Sequence, residues 1–425
     1  MMIFKPATCI FALNITQLNM KKTLIISILL IPLVVSTQTV SELYNEGLTY
    51  FKAEQYEIAI EKFSKALEKD EYFHEAYYYH GRSLYELKQY EEAKEKFSDA
   101  IKQQEDFYPA WYYRGKTHQT TKEYNQALKD YDKAIEINPK LAIAYIQRAK
   151  IYDLQGNRSK ALDNYNKNEE LAGGSYELHY NRALLLKRMG KYENALSDAL
   201  KAINYKPEAK DPFILRANIF RQKQQFGKAK KEFQNLLDIN PNSERAYEER
   251  AKMYQDLGEY KKALADLETL TNKFDRRDLD IEYQKGICYA HTGNELRARQ
   301  AFTKVITRNS NYADAYAQRA YVYLEMKKES MAKHDLRQAL RKEDNNPTAL
   351  YLMGKLQVND SQFEKALENL NKALKNKHIG EAYALRAKCN HHLKNHEQAC
   401  SDLKLAIVFG YDKKDAQRKM RIYCK

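Results

Sequence analysis

Alanine recurs at Ala59, Ala93, Ala127, Ala161, Ala195, Ala229, Ala263, Ala298, Ala332, Ala366 and Ala399, at intervals of 34 residues with one of 35 and one of 33. A compact domain has no reason to keep such a period along most of its length. A stack of like helix pairs must keep it, because each unit buries its apolar face only against its neighbours. The length of 425 residues therefore sets repeat number rather than domain number.

A second column lies twelve residues earlier and holds only glycine or alanine: Gly47, Gly81, Gly115, Ala149, Ala183, Ala217, Ala251, Gly286, Ala320, Gly354 and Ala387. Helices approach closely only where the crossing side chains are small, so the two columns mark the contact between helix A and helix B of each repeat. Large residues surround them at helical spacing. Tyr77, Trp111, Tyr145 and Tyr247 stand four before the small residue, and Phe63, Phe97, Tyr131, Tyr165, Phe233 and Phe302 four after the alanine. Most of the 34 tyrosines thus belong to a core, and a charged fraction of 30% gives a wet exterior, which excludes a disordered chain and a multi-span membrane protein.

The run Trp111, Gly115, Ala127, Tyr131, Ala134 and Pro139 resembles a tetratricopeptide repeat, and eleven copies agree over residues 40–411. The closing proline survives only as Pro139, Pro207 and Pro241. The resemblance implies an all-α, right-handed superhelical solenoid of about eleven helix-turn-helix repeats, closed by a capping helix over residues 412–425. It also implies a concave face, lined by the A helices, that takes an extended peptide.

Residues 1–36 stand apart. They contain no acid, and from Met20 they read as Lys21 and Lys22, an apolar stretch from Thr23 to Val35, then Ser36. This is the order of a secretory signal, with Met20 as an alternative start, and it predicts a periplasmic or extracellular protein without a membrane span in the mature chain. An uncleaved segment acting as an anchor is the alternative.

The position before the small residue carries Arg114, Arg148, Arg182, Arg216, Arg250, Arg319 and Arg386. Sixteen residues on, helix B offers Asp130, Asn164, Asp198, Glu232, Asp266, Asp335 and Asp402, and the charges are reversed in the first repeat as Glu46 and Lys62. The spacing predicts structural ion pairs within each repeat that fix helix register, each exposed pair contributing about 0–1 kcal/mol. Arg114 with Asp130, Arg182 with Asp198, Arg250 with Asp266, Arg319 with Asp335 and Arg386 with Asp402 are the principal ones.

Positions three before and one after the small residue are predicted to face the groove. In the first four repeats they supply Tyr44, Tyr78, Arg82, Tyr112, Lys116 and Lys150, aromatic faces interleaved with cations that suit a protein segment carrying apolar and acidic residues. No repeat places lysine in the first column, so the family's carboxylate clamp for chaperone tails is not expected.

The ending from Ala399 and Cys400 through Gly410 to Tyr423 and Cys424 resembles the close of many exported bacterial repeat proteins. A Cys400–Cys424 disulfide pinning the cap is expected there, with a contribution of about 3 kcal/mol. Cys288 and Cys389 read as small core residues. His391, His392 and His396 fit no standard zinc spacing, so no metal and no cofactor is expected. No phosphate-binding glycine loop or nucleophile elbow occurs, which argues against an enzyme. The sequence leads to a noncatalytic protein–protein interaction scaffold of the cell envelope, with possible self-association. A cytosolic nucleic-acid-binding solenoid and a regulatory subunit of an enzyme complex stand as alternatives. The net charge of +14 is spread over all repeats and favours nucleic acid little.

Overall fold

The computed structural model describes residues 38–424, which fall into two compact units, residues 38–117 and 118–424. The expected signal segment lies outside the described residues. Twenty-three α-helices and no strands occur among those residues. The first unit holds α1 (Val40–Lys52), α2 (Tyr56–Lys69), α3 (His74–Glu86), α4 (Tyr90–Gln103) and the body of α5 (Tyr108–Thr120). The second begins with the last turn of α5 and continues through α6 (Tyr124–Ile137), α7 (Ala142–Leu154), α8 (Arg158–Ala172), α9 (Tyr176–Arg188), α10 (Tyr192–Tyr205), α11 (Lys210–Gln222) and α12 (Phe226–Ile239). After these come α13 (Glu244–Asp256), α14 (Tyr260–Asn272), α15 (Leu279–His291), α16 (Glu295–Arg308), α17 (Ala313–Glu325) and α18 (Glu329–Lys342). The last are α19 (Pro347–Asn359), α20 (Phe363–Asn376), α21 (Gly380–His392), α22 (His396–Val408) and α23 (Lys413–Tyr423). Within each unit the helices pack as successive antiparallel hairpins.

Helix starts are fixed locally where the sequence supplies a cap. Thr39 and Glu42 form a reciprocal capping box on α1, and Ser175, Asp278, Asn346 and Asp412 each accept a backbone N–H at the start of α9, α15, α19 and α23. Each hairpin turns on one residue in the left-handed region, seven after the small residue of helix A: Lys88 at φ 63°, Gly190 at 73°, Gly258 at 71°, Lys327 at 58° and their equivalents. Only some of these are glycine, so hairpin packing carries the strain of the others.

The small-residue column works as its spacing predicts. A β-carbon added to Gly47 would lie 2.5 Å from the Phe63 ring, and one added to Gly286 would lie 2.7 Å from Phe302. Where helix B offers a smaller group alanine suffices, as for Ala183 packed with Ala199 and Ala251 packed with Leu267. The helix B aromatics Phe63, Phe97, Tyr131, Tyr165, Phe233 and Phe302 are buried to within 1%. Each contributes roughly 1.5–3 kcal/mol through removal of its surface from water. At the end of the chain α23 lays Ala416, Met420 and Tyr423 over Ala387, Ala399 and Leu403, covering the last hairpin as a cap must.

Candidate functional site

In the first unit the residues expected to line the groove form an aromatic cage. Tyr44 of α1 meets Phe73 at 4.8 Å, and burial pushes its hydroxyl up to about 12. Tyr78 of α3 stands edge-on to Tyr79, Phe107 and Tyr113 at 4.9, 5.4 and 5.5 Å between ring centroids. Tyr78 and Tyr112 are only 8% and 7% exposed, so little of either ring is open to a ligand. The aromatic faces expected to be open at those two positions are therefore largely covered: Tyr78 is spent on Phe97 of α4 and on Phe107 and Tyr113, and Tyr112 stands edge-on to Tyr113 at 5.3 Å.

The cation at the centre is Arg82. Its guanidinium carbon lies 4.7 Å from the Phe51 centroid, 4.6 Å from Tyr113, and 5.6 and 5.7 Å from Tyr79 and Tyr78. Four ring faces stabilise its charge and fix its orientation. Its Nε is buried without a hydrogen-bond partner, and Arg82 meets no carboxylate in an ion pair among the described residues. Lys116 sits over Tyr85 at 4.6 Å and Tyr113 at 5.3 Å. Lys150 belongs to the second unit, where its ammonium is paired with Glu177 at the start of α9. Tyr79 and Tyr113, two before the small residue, build this cage and were not singled out from the sequence; the pair of aromatics in that column was the available signal.

The arginine column forms a ladder. Arg182 donates Nε to Asp198 Oδ2 at 2.7 Å and Nη2 to Oδ1 at 2.9 Å. The same two-pronged grip joins Arg250 to Asp266 at 2.9 and 2.7 Å, Arg319 to Asp335 at 2.7 and 2.9 Å, and Arg386 to Asp402 at 3.0 and 2.6 Å. Arg114 and Asp130 lie in different units: Arg114 rests on Trp111 at 4.8 Å, and Asp130 lies 3.7 Å from His118 Nε2. In the first hairpin the reversed pair Lys62–Glu46 is 2.6 Å long.

Two features of the ladder were not legible in the spacing. First, the acids are buried: Asp198, Asp266, Asp335 and Asp402 are 4%, 5%, 2% and 0% exposed, which corrects the expectation of exposed pairs. They sit beside the fully buried aromatic or aliphatic residue of helix B, beneath the hairpin contact. Burial pushes the Asp266 carboxyl up, opposed by the Arg250 hydrogen bonds. Second, the remaining nitrogen, Nη1, reaches the preceding hairpin. It donates to Ser98 from Arg114 (3.0 Å), Asp132 from Arg148 (2.6 Å), Asn166 from Arg182 (3.0 Å), Thr303 from Arg319 (3.0 Å) and Asn371 from Arg386 (2.9 Å). All five acceptors stand five residues after the alanine of helix B, so each guanidinium is stapled to the hairpin before it, and those of Arg148, Arg182, Arg319 and Arg386 also grip helix B of their own hairpin. Arg216 is the exception. Leu200 occupies the acceptor position, the acid is the longer Glu232, and both Arg216 Nε and Glu232 Oε2 are buried without hydrogen-bond partners.

At the carboxyl end Cys400 of α22 and Cys424 after α23 are joined with their Cα atoms 5.3 Å apart. Of the nearby histidines, His391 and His396 brace the cap and His392 packs on α20. His391 stacks on Tyr423 at 4.3 Å, His392 stacks on Phe363 at 4.1 Å, and His396 Nδ1 lies 3.0 Å from the Tyr423 carbonyl. Cys288 and Cys389 are fully buried, and burial pushes both thiols up to about 11, far from reactive thiolate. No helix among the described residues is long and apolar enough to cross a membrane.

Comparison with known proteins follows the same periodicity. Tetratricopeptide repeat profiles match residues 44–106, 108–141, 176–208, 249–314 and 313–343. No curated protein matches the chain in sequence. Among solved structures, a tetratricopeptide repeat protein from Parabacteroides merdae is similar at 18% identity and TM-score 0.47, over 67% of this chain and 99% of that one. Yeast Tom70 is similar at 13% identity and TM-score 0.49, over 90% and 94%. The C-terminal part of a repeat protein from Cytophaga hutchinsonii is similar at 17% identity and TM-score 0.44, over 65% and 98%. On its repeat period, its hairpin geometry and the profiles that match it, the chain belongs to the tetratricopeptide repeat family.

Proposed function

We propose that this protein is a noncatalytic scaffold of the cell envelope that holds a partner protein by an extended segment, with Arg82 as the anchoring point. Tetratricopeptide repeats build extended surfaces for protein–protein contact, which supports the general role. One observation carries the specific reading: the Arg82 guanidinium is held by Phe51, Tyr78, Tyr79 and Tyr113 yet pairs with no carboxylate among the described residues. A guanidinium already oriented and partly dehydrated by aromatic neighbours gives an incoming carboxylate a charge-assisted bond at reduced ordering cost. The segment it suits is acidic, with apolar residues beside the acid for the surrounding rings.

Export is supported by the basic and then apolar order of residues 21–35 and by the joining of Cys400 to Cys424, a bond that persists in oxidising compartments. The binding test is an array of extended peptides bearing Asp or Glu beside apolar residues, probed with the mature chain and with Arg82→Gln. Acidic peptides captured by the wild type and lost by at least about tenfold in the variant support the reading. Equal capture by both, with helicity unchanged, removes Arg82 from it.

A further inference from the structure

The ladder contains a cation that faces neither an acid nor an amide in its own hairpin. In the eighth hairpin the column before the small residue holds Lys285, and sixteen residues on, where the arginine-bearing hairpins carry a carboxylate or, at Asn164, an amide, stands Ala301, 2% exposed. The preceding hairpin offers Glu268, but that carboxylate accepts from the Tyr289 hydroxyl at 3.3 Å. Lys285 therefore makes no ion pair and no hydrogen bond among the described residues.

The same hairpin follows an irregular connection. Residues 273–278 join α14 to α15 in six residues, whereas the other connections between described helices take three or four. This is where the alanine interval lengthens to 35. Asp275 in this loop takes a left-handed backbone at φ 52°. The longer loop leaves a cavity of about 470 Å³ between the end of α14, the start of α15 and the end of α16.

Four cations line that cavity: Lys285 from α15, Lys304 and Arg308 from α16, and Arg277 from the loop. Two are matched, Lys304 with Glu282 at 3.2 Å and Arg277 with Asp275 at 2.7 Å. Arg308 donates Nη1 to the Arg277 carbonyl at 2.8 Å and, like Lys285, meets no carboxylate. The cavity thus holds an excess of two positive charges, with the Asn272 amide as a neutral hydrogen-bonding group on its wall. A lysine point charge beside an arginine fork is the combination that suits a phosphoryl group, whose oxygens accept from several donors at once.

We propose that this cavity binds a dianionic phosphoryl group, with Lys285 and Arg308 as its charge-bearing contacts. The group arrives either as free phosphate or as a phosphate ester, and the two sources are separated by the probe. The chain would then carry a small-anion site on its repeat edge, independent of any peptide held by Arg82.

The experiment is calorimetric titration of the mature chain at physiological salt with inorganic phosphate and, separately, with phenyl phosphate. Saturable one-site binding is expected, and the probe that binds more tightly identifies the source. Lys285→Gln weakens binding by about tenfold or more. Ala301→Asp restores the missing ladder acid, pairs Lys285 internally, and is expected to abolish binding while melting no lower than the wild type. If Ala301→Asp fails to fold, Lys285→Gln and Arg308→Gln carry the test. Absence of saturable binding by either probe, or titration of Lys285→Gln indistinguishable from wild type, overturns the proposal.

Discussion

Replacing Asp198 by alanine removes a carboxylate that is 4% exposed and that accepts from Arg182 Nε at 2.7 Å, from Arg182 Nη2 at 2.9 Å and lies 3.1 Å from His179 Nδ1. Arg182, itself 6% exposed, is left with Asn166 at 3.0 Å and Glu169 at 2.6 Å on the preceding hairpin. Removing one member of a buried pair costs about 3–5 kcal/mol because the other charge stays buried. Glu169 keeps part of the compensation here, so the lower end, about 3 kcal/mol, is expected. The comparison is Glu46→Ala, which breaks a pair with Lys62 whose side chains are 38% and 20% exposed and which solvent screens, so the loss there is expected to be small. Denaturant unfolding gives the global loss. Hydrogen exchange across α9 and α10 gives the local one, which matters because stacked repeats open in segments. The double variant Arg182→Met, Asp198→Leu is expected to recover most of the loss, since neither charge is then stranded. Asp198→Ala costing no more than Glu46→Ala would refute the view that the ladder is a set of buried staples.

Three further outcomes follow from named contacts. His80 is 9% exposed, and burial followed by the Lys96 charge lowers its pKa to about 4 from 6.5. Stability from keeping this ring neutral is fully present above pH 6.5 and lost as pH falls through 4, so the wild type should lose about 3 kcal/mol more than His80→Gln between pH 7 and 4 in parallel urea titrations. Gly47→Ala should cost about 1–3 kcal/mol by thermal melting, because its β-carbon would stand 2.5 Å from the Phe63 ring. Cys424→Ser opens a link across 24 residues and should cost about 3 kcal/mol, with exchange protection lost in α23 before the other helices; intact mass of the exported protein should show Cys400 and Cys424 oxidised.

The hairpins were legible because one small residue per helix fixes where two helices cross, and Ala183 with Ala199 or Gly286 with Phe302 read the same way in sequence and in space. The spacing of sixteen from arginine to acid was legible for the same reason. Exposure was not. Whether Tyr78 faces a ligand or a neighbour depends on Tyr79 and Tyr113, and Tyr113 belongs to the next repeat, so no single repeat contains the answer. The Nη1 staples share this character: Thr303 and Asn371 look like ordinary surface residues until the arginine of the following hairpin is placed against them. Arg82 differs from the other groove cations because four aromatic residues converge on it, and three of them, Phe51, Tyr79 and Tyr113, lie outside the two columns assigned to the groove.

The central claim, that an envelope partner is held through Arg82, is tested most directly by crosslinking in the native cell, followed by affinity capture and mass spectrometry of wild type and Arg82→Gln side by side. Exported or envelope proteins joined to the wild type and absent from the variant are the expected result. Recovery of the same proteins with both chains, or of cytosolic proteins and nucleic acid, would contradict that claim.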